Sequence, residues 1–474
     1  MGRARAGDMP LGVSPSASAA PGLGDTPKGM SPLVARLGFR ADAPTCYTRP
    51  MAQLDSAPDA PDAYDPLTPV PAERRALGGL DAFSLWFSLG IGLLVLQAGA
   101  FLVPGLSLGA ALAAIVVGSV LGALLLAAAG VVGADTGLSA MGSLRLALGA
   151  RGAAVPAVLN AVQLTGWGAF EIIAMRDSAD ALVKQTFGVS SPLLWTLAFG
   201  ALATGLAVMG PVSFVRRFLR AWGLWLLLAG AGWLTWRLLA EHDLGALMAR
   251  AGTGEMGFGA GVDLVVAMPL SWLPLIADYT RFGRSPRGMF RGAFVGYLLA
   301  NVWFMGLGAA YALVAGGGEG LLLSALAASG GGIALLLIVI DETDNTFADI
   351  HSAAVSTATL VRVGPARLAV GFGVVCTAIA LLAPMARYET FLLLIGSVFA
   401  PLFGVLLADH FIVRRRRAEA AGALNLAGLL AWAVGVGAYQ VLTRQAPDLG
   451  ATLPSFATAA GVYLALRTVR RRPA

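Results

Sequence analysis

From Phe83 almost to the C-terminus, the sequence is a succession of apolar runs, each about as long as a bilayer is thick. A helix needs about 20 predominantly apolar residues to cross roughly 30 Å of hydrocarbon. Twelve such spans are read here: 83–103, 108–133, 153–175, 192–210, 218–239, 262–279, 291–315, 331–360, 367–384, 389–412, 423–443 and 450–467. The runs are continuous and do not alternate with a period of two, which argues for helices over a transmembrane barrel. The predicted fold class is therefore an all-α polytopic membrane protein with about 12 transmembrane helices. Hydrophobic residues make up 57% of the chain and charged ones 13%, and the mean hydropathy is +0.75, far from a soluble domain.

The net charge of +6 does not point to nucleic acid, because the basic residues are distributed by topology and form no aromatic-laced patch. If the first span starts inside, 21 arginines fall on one face of the membrane, among them Arg74, Arg75, Arg145, Arg151, Arg216, Arg217 and Arg414 to Arg417. The opposite face has six: Arg176, Lys184, Arg237, Arg250, Arg387 and Arg444. By the positive-inside rule both termini are expected in the cytoplasm, which also requires an even number of spans. Ala-, Gly- and Arg-rich usage with only two lysines suggests a GC-rich bacterial genome, hence a bacterial inner membrane.

Residues 1–75 are rich in Ala, Pro, Ser and Asp and carry no apolar period, the composition of a disordered tail. Met51 opens a short polar leader into Arg74, so residues 1–50 are expected to be a misassigned start. The domain plan is then a tail at 1–75, a ten-helix core at 76–412, and two further helices with a basic end at 413–474. Cys46 and Cys376 offer neither a disulfide framework nor metal spacing. His242, His351 and His410 are scattered and read as interfacial or loop residues.

Two spans carry marks of interruption. The first has Gly90 and Gly92, which relax helical geometry; the sixth has Pro269 and Pro274, which remove backbone donors. One and six are equivalent positions in a five-plus-five inverted repeat, and paired broken helices are where many secondary transporters hold their cargo. In the third span Trp167 and Glu171 are four apart and share a face. An aromatic plate with a carboxylate one turn away suits a flat heterocycle carrying amino groups.

The eighth span supplies four carboxylates within nine residues, Asp341, Glu342, Asp344 and Asp349, directly after the apolar run Leu335 to Ile340. A long helix starting near Gly331 would put them at depth, where retained acids face a cavity, an ion or a polar ligand. Along it Glu342, Asn345, Thr346 and Asp349 project on one side. Oxygen ligands such as Thr343 and Asp344 suit a hard cation like sodium, while a carboxylate there could instead carry a proton.

These stretches resemble the nucleobase:cation symporter-1 family, most closely its branch of CytX-type hydroxymethylpyrimidine permeases. The matching motifs are GADTGLSAMGSLRLALGARGA from Gly133, LNAVQLTGWGAFEI from Leu159, MPLSWLPLIADYTRF from Met268 and DETDNTFADIHSAAVS from Asp341. The resemblance implies a LeuT-like fold of ten helices in two inverted repeats plus two more, working by alternating access as a monomer. It implies a pyrimidine-type substrate, with hydroxymethylpyrimidine or a related thiamine precursor foremost. The ring would stack on Trp167 and bond Glu171, where other branches carry glutamine; Asp349 falls on the family's polar position in helix eight. Gly92 stands where some relatives have a substrate-bonding glutamine, and Ser271 and Trp272 are the nominees from helix six. The family's sodium ligands map to Ser88, Ile91, Ile340, Thr343 and Asp344. An acid at Asp344, where relatives often have serine or threonine, leaves Na+ and H+ both open as coupling ion. No other cofactor is expected.

Other classes fare worse. Neither Lys28 nor Lys184 completes a phosphate loop, so an ATP-driven pump is excluded. Asp341-x-x-Asp344 resembles half the metal motif of intramembrane prenyltransferases, but the second cluster such an enzyme needs is absent. Cytosine, purine, allantoin or an amino acid remain rival cargoes; Glu171 would repel the carboxylate of an amino acid.

Overall fold

In the computed structural model, residues 65–213, 215, 219, 222–316, 339, 342–383, 388–413 and 422–469 are described. Among them fifteen helices of eight or more residues follow one another: α1 Gly79–Ser88, α2 Leu93–Ala100, α3 Leu108–Thr136, α4 Ala140–Leu148, α5 Ala154–Phe187, α6 Pro192–Met209, α7 Leu224–Glu241, α8 Phe258–Ser271, α9 Leu273–Thr280, α10 Pro286–Ala315, α11 Thr343–Ala358, α12 Pro365–Leu382, α13 Tyr388–Ala408, α14 Leu426–Gln445 and α15 Thr452–Val469. Among the described residues eight spans are long and apolar enough to cross a bilayer, counting α8 with α9 as one, and the bent pair α1/α2 can be a ninth. Helices α7, α11 and α15 overlap the remaining expected spans without being among those eight or nine, so the protein is a multi-pass membrane protein that is helical through the described residues.

Packing sorts these helices into groups. Pair α1/α2 lies with α3, α8, α9 and α10, while α5, α6, α11 and α12 form a second group; α13, α14 and α15 pack on one another. In terms of spans, one, two, six and seven stand together against three, four, eight and nine, the division expected of a five-plus-five repeat. Close approach of α2 to α10 depends on two glycines: a Cβ on Gly99 would sit 2.1 Å from the Met305 carbonyl, and one on Gly308 would sit 1.9 Å from that of Leu96. Small residues supply the van der Waals contact that hydrophobicity cannot supply within lipid.

Several boundaries depart from the hydropathy reading. Helix α5 continues to Phe187, twelve residues past the expected end at 175, because charges such as Asp177 and Lys184 end an apolar run without ending a helix. Gly188, at φ 72°, stops it. In the eighth span the described helix begins at Thr343; residues 317–338, 340 and 341, and with them Ile340 and Asp341, lie outside the described residues. So do residues 1–64 and the expected start site at Met51.

The end of the expected tail is built into the fold. Leu77 N–H donates to the Phe282 carbonyl (2.9 Å), Arg284 N–H donates back to Leu77 (2.8 Å), and Arg75 Nη1 donates to the Ala134 carbonyl (2.8 Å). Ser139 Oγ donates to Pro66 (2.9 Å) and Val70 is buried. Residues 65–75 were expected to be disordered because proline-rich sequence has no period; here they are held by partners far away in sequence. Of the three histidines, His242 lies at the end of α7 as a loop residue would, but His351 stacks on Phe347 at 5.8 Å and buried His410 has Nε2 3.0 Å from Asp135 Oδ2. Among the described residues no group of three or more His, Cys, Asp or Glu could hold a metal ion.

Candidate functional site

The first span breaks between Ser88 and Leu93, and its halves meet at 59°. Breaking a helix orphans backbone groups, and inside a membrane those groups need partners. Helix α11 provides them. Leu93 N–H, at the start of α2, donates to Glu342 Oε2 at 2.9 Å, so a carboxylate meets the positive end of a helix. Asn345 Nδ2 reaches the Ile91 carbonyl at 3.4 Å, and Ser88 Oγ donates to Asp344 Oδ2 at 2.5 Å. Gly92 is needed for space: a Cβ there would lie 2.6 Å from Glu342 Oε2 and 2.8 Å from Asn345 Nδ2. Its φ of 162° is ordinary extended backbone.

The sixth span is interrupted more gently. Pro269 lies inside α8 and Pro274 in the first turn of α9, with Trp272 as the single residue between the two helices. The two halves continue as one span, Phe258–Thr280, so the expected interruption is present without the sharp bend of span one. Ser271 Oγ donates to the Met268 carbonyl at 2.7 Å. Asn160 Nδ2 on α5 donates to the Pro274 carbonyl (3.1 Å) and to Ser356 Oγ of α11 (2.8 Å), tying both groups of helices together.

Between the two interruptions lies a cavity lined by Trp167 and Glu171 from α5, Ser271 and Trp272 at the α8 end, Asn345 and Asp349 from α11, with Leu94, Val95 and Met268 as apolar wall. Thus five of the six expected substrate residues converge, and Gly92 does not reach the lining. Trp167 is held edge-on by Phe391 at 5.5 Å, and Trp272 by Trp86 at 6.2 Å. The cavity measures about 20 Å³, room for one water-sized sphere, so a six-membered ring enters only if the walls part.

Of the expected cation ligands, Ser88 and Asp344 bond each other, Ile91 presents its carbonyl toward α11, and Thr343 is fully buried at the start of α11. Asp344 Oδ1 is buried with no hydrogen-bond partner. Glu342 lies on the helix face that the sequence predicts for Asn345 and Asp349. Its Oε2 accepts from Leu93 N–H, while its Oε1, like Glu171 Oε2, is buried with no hydrogen-bond partner among the described residues. A helix-face pattern could group Glu342 with Asn345 and Asp349; what it could not show is the space above Gly92 that Glu342 fills.

Similarities to known proteins agree with this geometry. Residues 69–448 match the family described as permeases for cytosine/purines, uracil, thiamine and allantoin. The hydantoin permease of Microbacterium maritypicum is 22% identical over 375 residues, 74% of this chain and 76% of the relative. The cytosine permease of Escherichia coli K12 is 26% identical over 352 residues, 72% of this chain and 80% of that one. Among solved structures, Mhp1, a nucleobase-cation-symport-1 family transporter in a closed conformation with bromovinylhydantoin bound, superposes with a TM-score of 0.73 at 20% identity, covering 86% of this chain and 95% of Mhp1. An inward-facing Mhp1 gives 0.68, and a Na+-coupled sialic acid symporter gives 0.59 at 13% identity, likenesses of fold alone. A broken first span facing an acidic eighth, around a small cavity with an aromatic plate, is thus set in a LeuT-like frame, and the chain belongs to the nucleobase:cation symporter-1 family of permeases, membrane transporters and not enzymes.

Proposed function

We propose that the protein imports an aminated pyrimidine, with hydroxymethylpyrimidine or a related thiamine precursor foremost, by cation-coupled alternating access. The observation that carries this reading is the placement of Trp167, Glu171 and Asp349 around one cavity between the two helix interruptions. The ring stacks on Trp167. Glu171 and Asp349 exchange hydrogen bonds with its amino, hydroxymethyl and ring-nitrogen groups. Ser271 and Trp272 close the side formed by span six, and Gly92 acts indirectly, by leaving room for Glu342.

For the coupling ion, the partnerless Oδ1 of Asp344 beside Ser88 supports a cation held by Ser88, Thr343, Asp344 and the Ile91 carbonyl; Ile340 lies outside the described residues. A hard cation such as sodium suits an all-oxygen set. A proton on Asp344 is the second reading, favoured by the presence of an acid at this position. The transport core is assigned to residues 76–412 and the added helices to 413–474. Both termini lie in the cytoplasm of a bacterial inner membrane, as the 21-to-6 arginine and lysine asymmetry supports. The transporter works as a monomer.

Uptake of labelled hydroxymethylpyrimidine into proteoliposomes, under a sodium gradient and a proton gradient in turn, tests the proposal. Saturable uptake driven by one gradient, competed less well by cytosine, thiamine or allantoin, is expected. Competition by amino acids and not by pyrimidines would overturn it. Asp349→Asn should weaken binding of the same pyrimidine at least several-fold, roughly one lost charged hydrogen bond.

A further inference from the structure

A second cavity, of about 300 Å³, lies outside the site described above. Its lining includes Arg145 on α4, Arg151 in the turn before α5, Ala154 at the start of α5, Leu67 of the N-terminal segment, and Thr359 and Leu360 just after α11. The backbone that carries the two arginines is fixed. Gly149, at φ 84°, ends α4; Ala150 N–H then donates to the Gly422 carbonyl (3.1 Å) and Arg151 N–H to that of Ala423 (2.9 Å), which pins the turn against the segment leading into α14. Arg145 is half-buried and Arg151 exposed, and among the described residues neither side chain has a hydrogen bond or ion pair. Arg75 and Arg281 differ, since they donate to the carbonyls of Val70, Ala134 and Asp65. No carboxylate lines the cavity among the described residues. Asp65, two positions before Leu67, already engages both its oxygens, with Leu67 N–H (2.9 Å) and Thr68 Oγ1 (2.6 Å).

An apolar strip leads away from this cavity. Val155, Val158, Leu159 and Val162 follow Ala154 at helical spacing and are all exposed, as are Leu360 and Val361 beyond α11. On the topology proposed above, α4 joins spans two and three on the cytoplasmic side, so the arginines lie at the inner interface and the strip faces the inner leaflet. Basic pockets between helices on that side suit anionic headgroups, and a guanidinium meets phosphate with two parallel N–H bonds. We propose that the cavity is a binding site for an anionic phospholipid of the inner leaflet, its phosphate held by Arg145 and Arg151 and its acyl chains lying along the exposed strip of α5. Free phosphate shares the headgroup chemistry but leaves the strip unused. Topology alone also places arginines on this face, yet Arg284, Arg287 and Arg291 are exposed and stand outside the cavity. A headgroup here touches the start of α5 and the end of α11, the two helices that bring Trp167 and Asp349 to the substrate cavity, and so steadies that pair. The choice of leaflet rests on the topology reading; the anion site does not.

Native mass spectrometry and thermal melting of the purified full-length protein in detergent, with phosphatidylglycerol or phosphatidylcholine added, test the site. Phosphatidylglycerol should be retained and raise the melting temperature, and phosphatidylcholine should do neither. Arg145→Gln and Arg151→Gln should each weaken phosphatidylglycerol binding about fivefold, and the double substitution more than tenfold. Arg284→Gln with Arg287→Gln removes as much charge from the same face and should leave binding within about twofold. Equal retention of both lipids, or an equal loss in this control pair, overturns the site. If the double variant does not fold, Arg151→Gln at its exposed position carries the test, and unchanged binding there overturns the proposal. Inorganic phosphate or glycerol phosphate that stabilises the protein as much as phosphatidylglycerol overturns the lipid assignment. The leaflet has its own measurement: Arg151→Cys, in a chain carrying Cys46→Ser, should react with an impermeant maleimide in inside-out vesicles only. Labelling in right-side-out vesicles overturns the inner-leaflet assignment and with it the topology reading, and leaves the headgroup site standing.

Discussion

The two interrupted spans occupy equivalent places in the repeat yet solve the same problem differently. Span one bends by 59° and its exposed backbone is met by side chains from another helix, Glu342 on Leu93 and Asn345 on Ile91. Span six stays nearly continuous, because its prolines remove donors at the outset and leave fewer groups to satisfy. Span six is tied to the other group of helices through Asn160 on the Pro274 carbonyl, whereas span one bends sharply and relies on another helix for both the Leu93 N–H and the Ile91 carbonyl. Span one should therefore be the sensitive half of the site.

The strongest attack on this contrast is Gly92→Val. The new Cβ would press on Glu342 and Asn345, adding overpacking of about 1–3 kcal/mol to an orphaned Leu93 N–H costing about 1–3 kcal/mol. Loss of uptake and a lowered melting temperature in detergent are expected. Adding Glu342→Ala should then cost less than the sum of the two single changes, since both break one contact. Strict additivity would mean the contact carries no coupling.

Trp167→Ala comes next. Removing the aromatic plate should cost about 1–3 kcal/mol of stacking, raising the dissociation constant roughly 10- to 100-fold, while melting of the ligand-free protein changes less. If melting collapses and residual affinity is unchanged, Trp167 is a packing residue for Phe391 and not a platform.

Pro274→Ala sharpens the comparison from the quiet side. The substitution restores a donor in the first turn of α9 and leaves the carbonyl that Asn160 bonds. A change in stability below about 1 kcal/mol and uptake within about twofold are expected. A loss as large as that of Gly92→Val would show that span six is equally strained and would end the contrast.

Much of the fold was legible because lipid makes it so. Within a membrane each crossing segment must satisfy its own backbone, so an apolar run of sufficient length is a helix almost by necessity. The interruption at Gly90 to Gly92 and the shared face of Trp167 and Glu171 could be read the same way, since both follow from local geometry. Residues 65–75 could not, because their order comes from Pro66, Val70 and Arg75 meeting Ser139, Gly137 and Ala134, partners distant in sequence. Nor could the burial of His410 against Asp135, which lies 275 positions away.

The sequence by itself determined that this is a helical membrane protein, where its first helix breaks, and which acids lie in its eighth span. Local forces decide those things: hydrogen bonding within a segment, the period of a helix, the cost of charge in hydrocarbon. Tertiary structure alone decided that Glu342 fills the space above Gly92 and that it caps Leu93. Those contacts join residues about 250 positions apart, and only the packing of one group of helices against the other brings the carboxyls of Glu171 and Asp349 to one cavity.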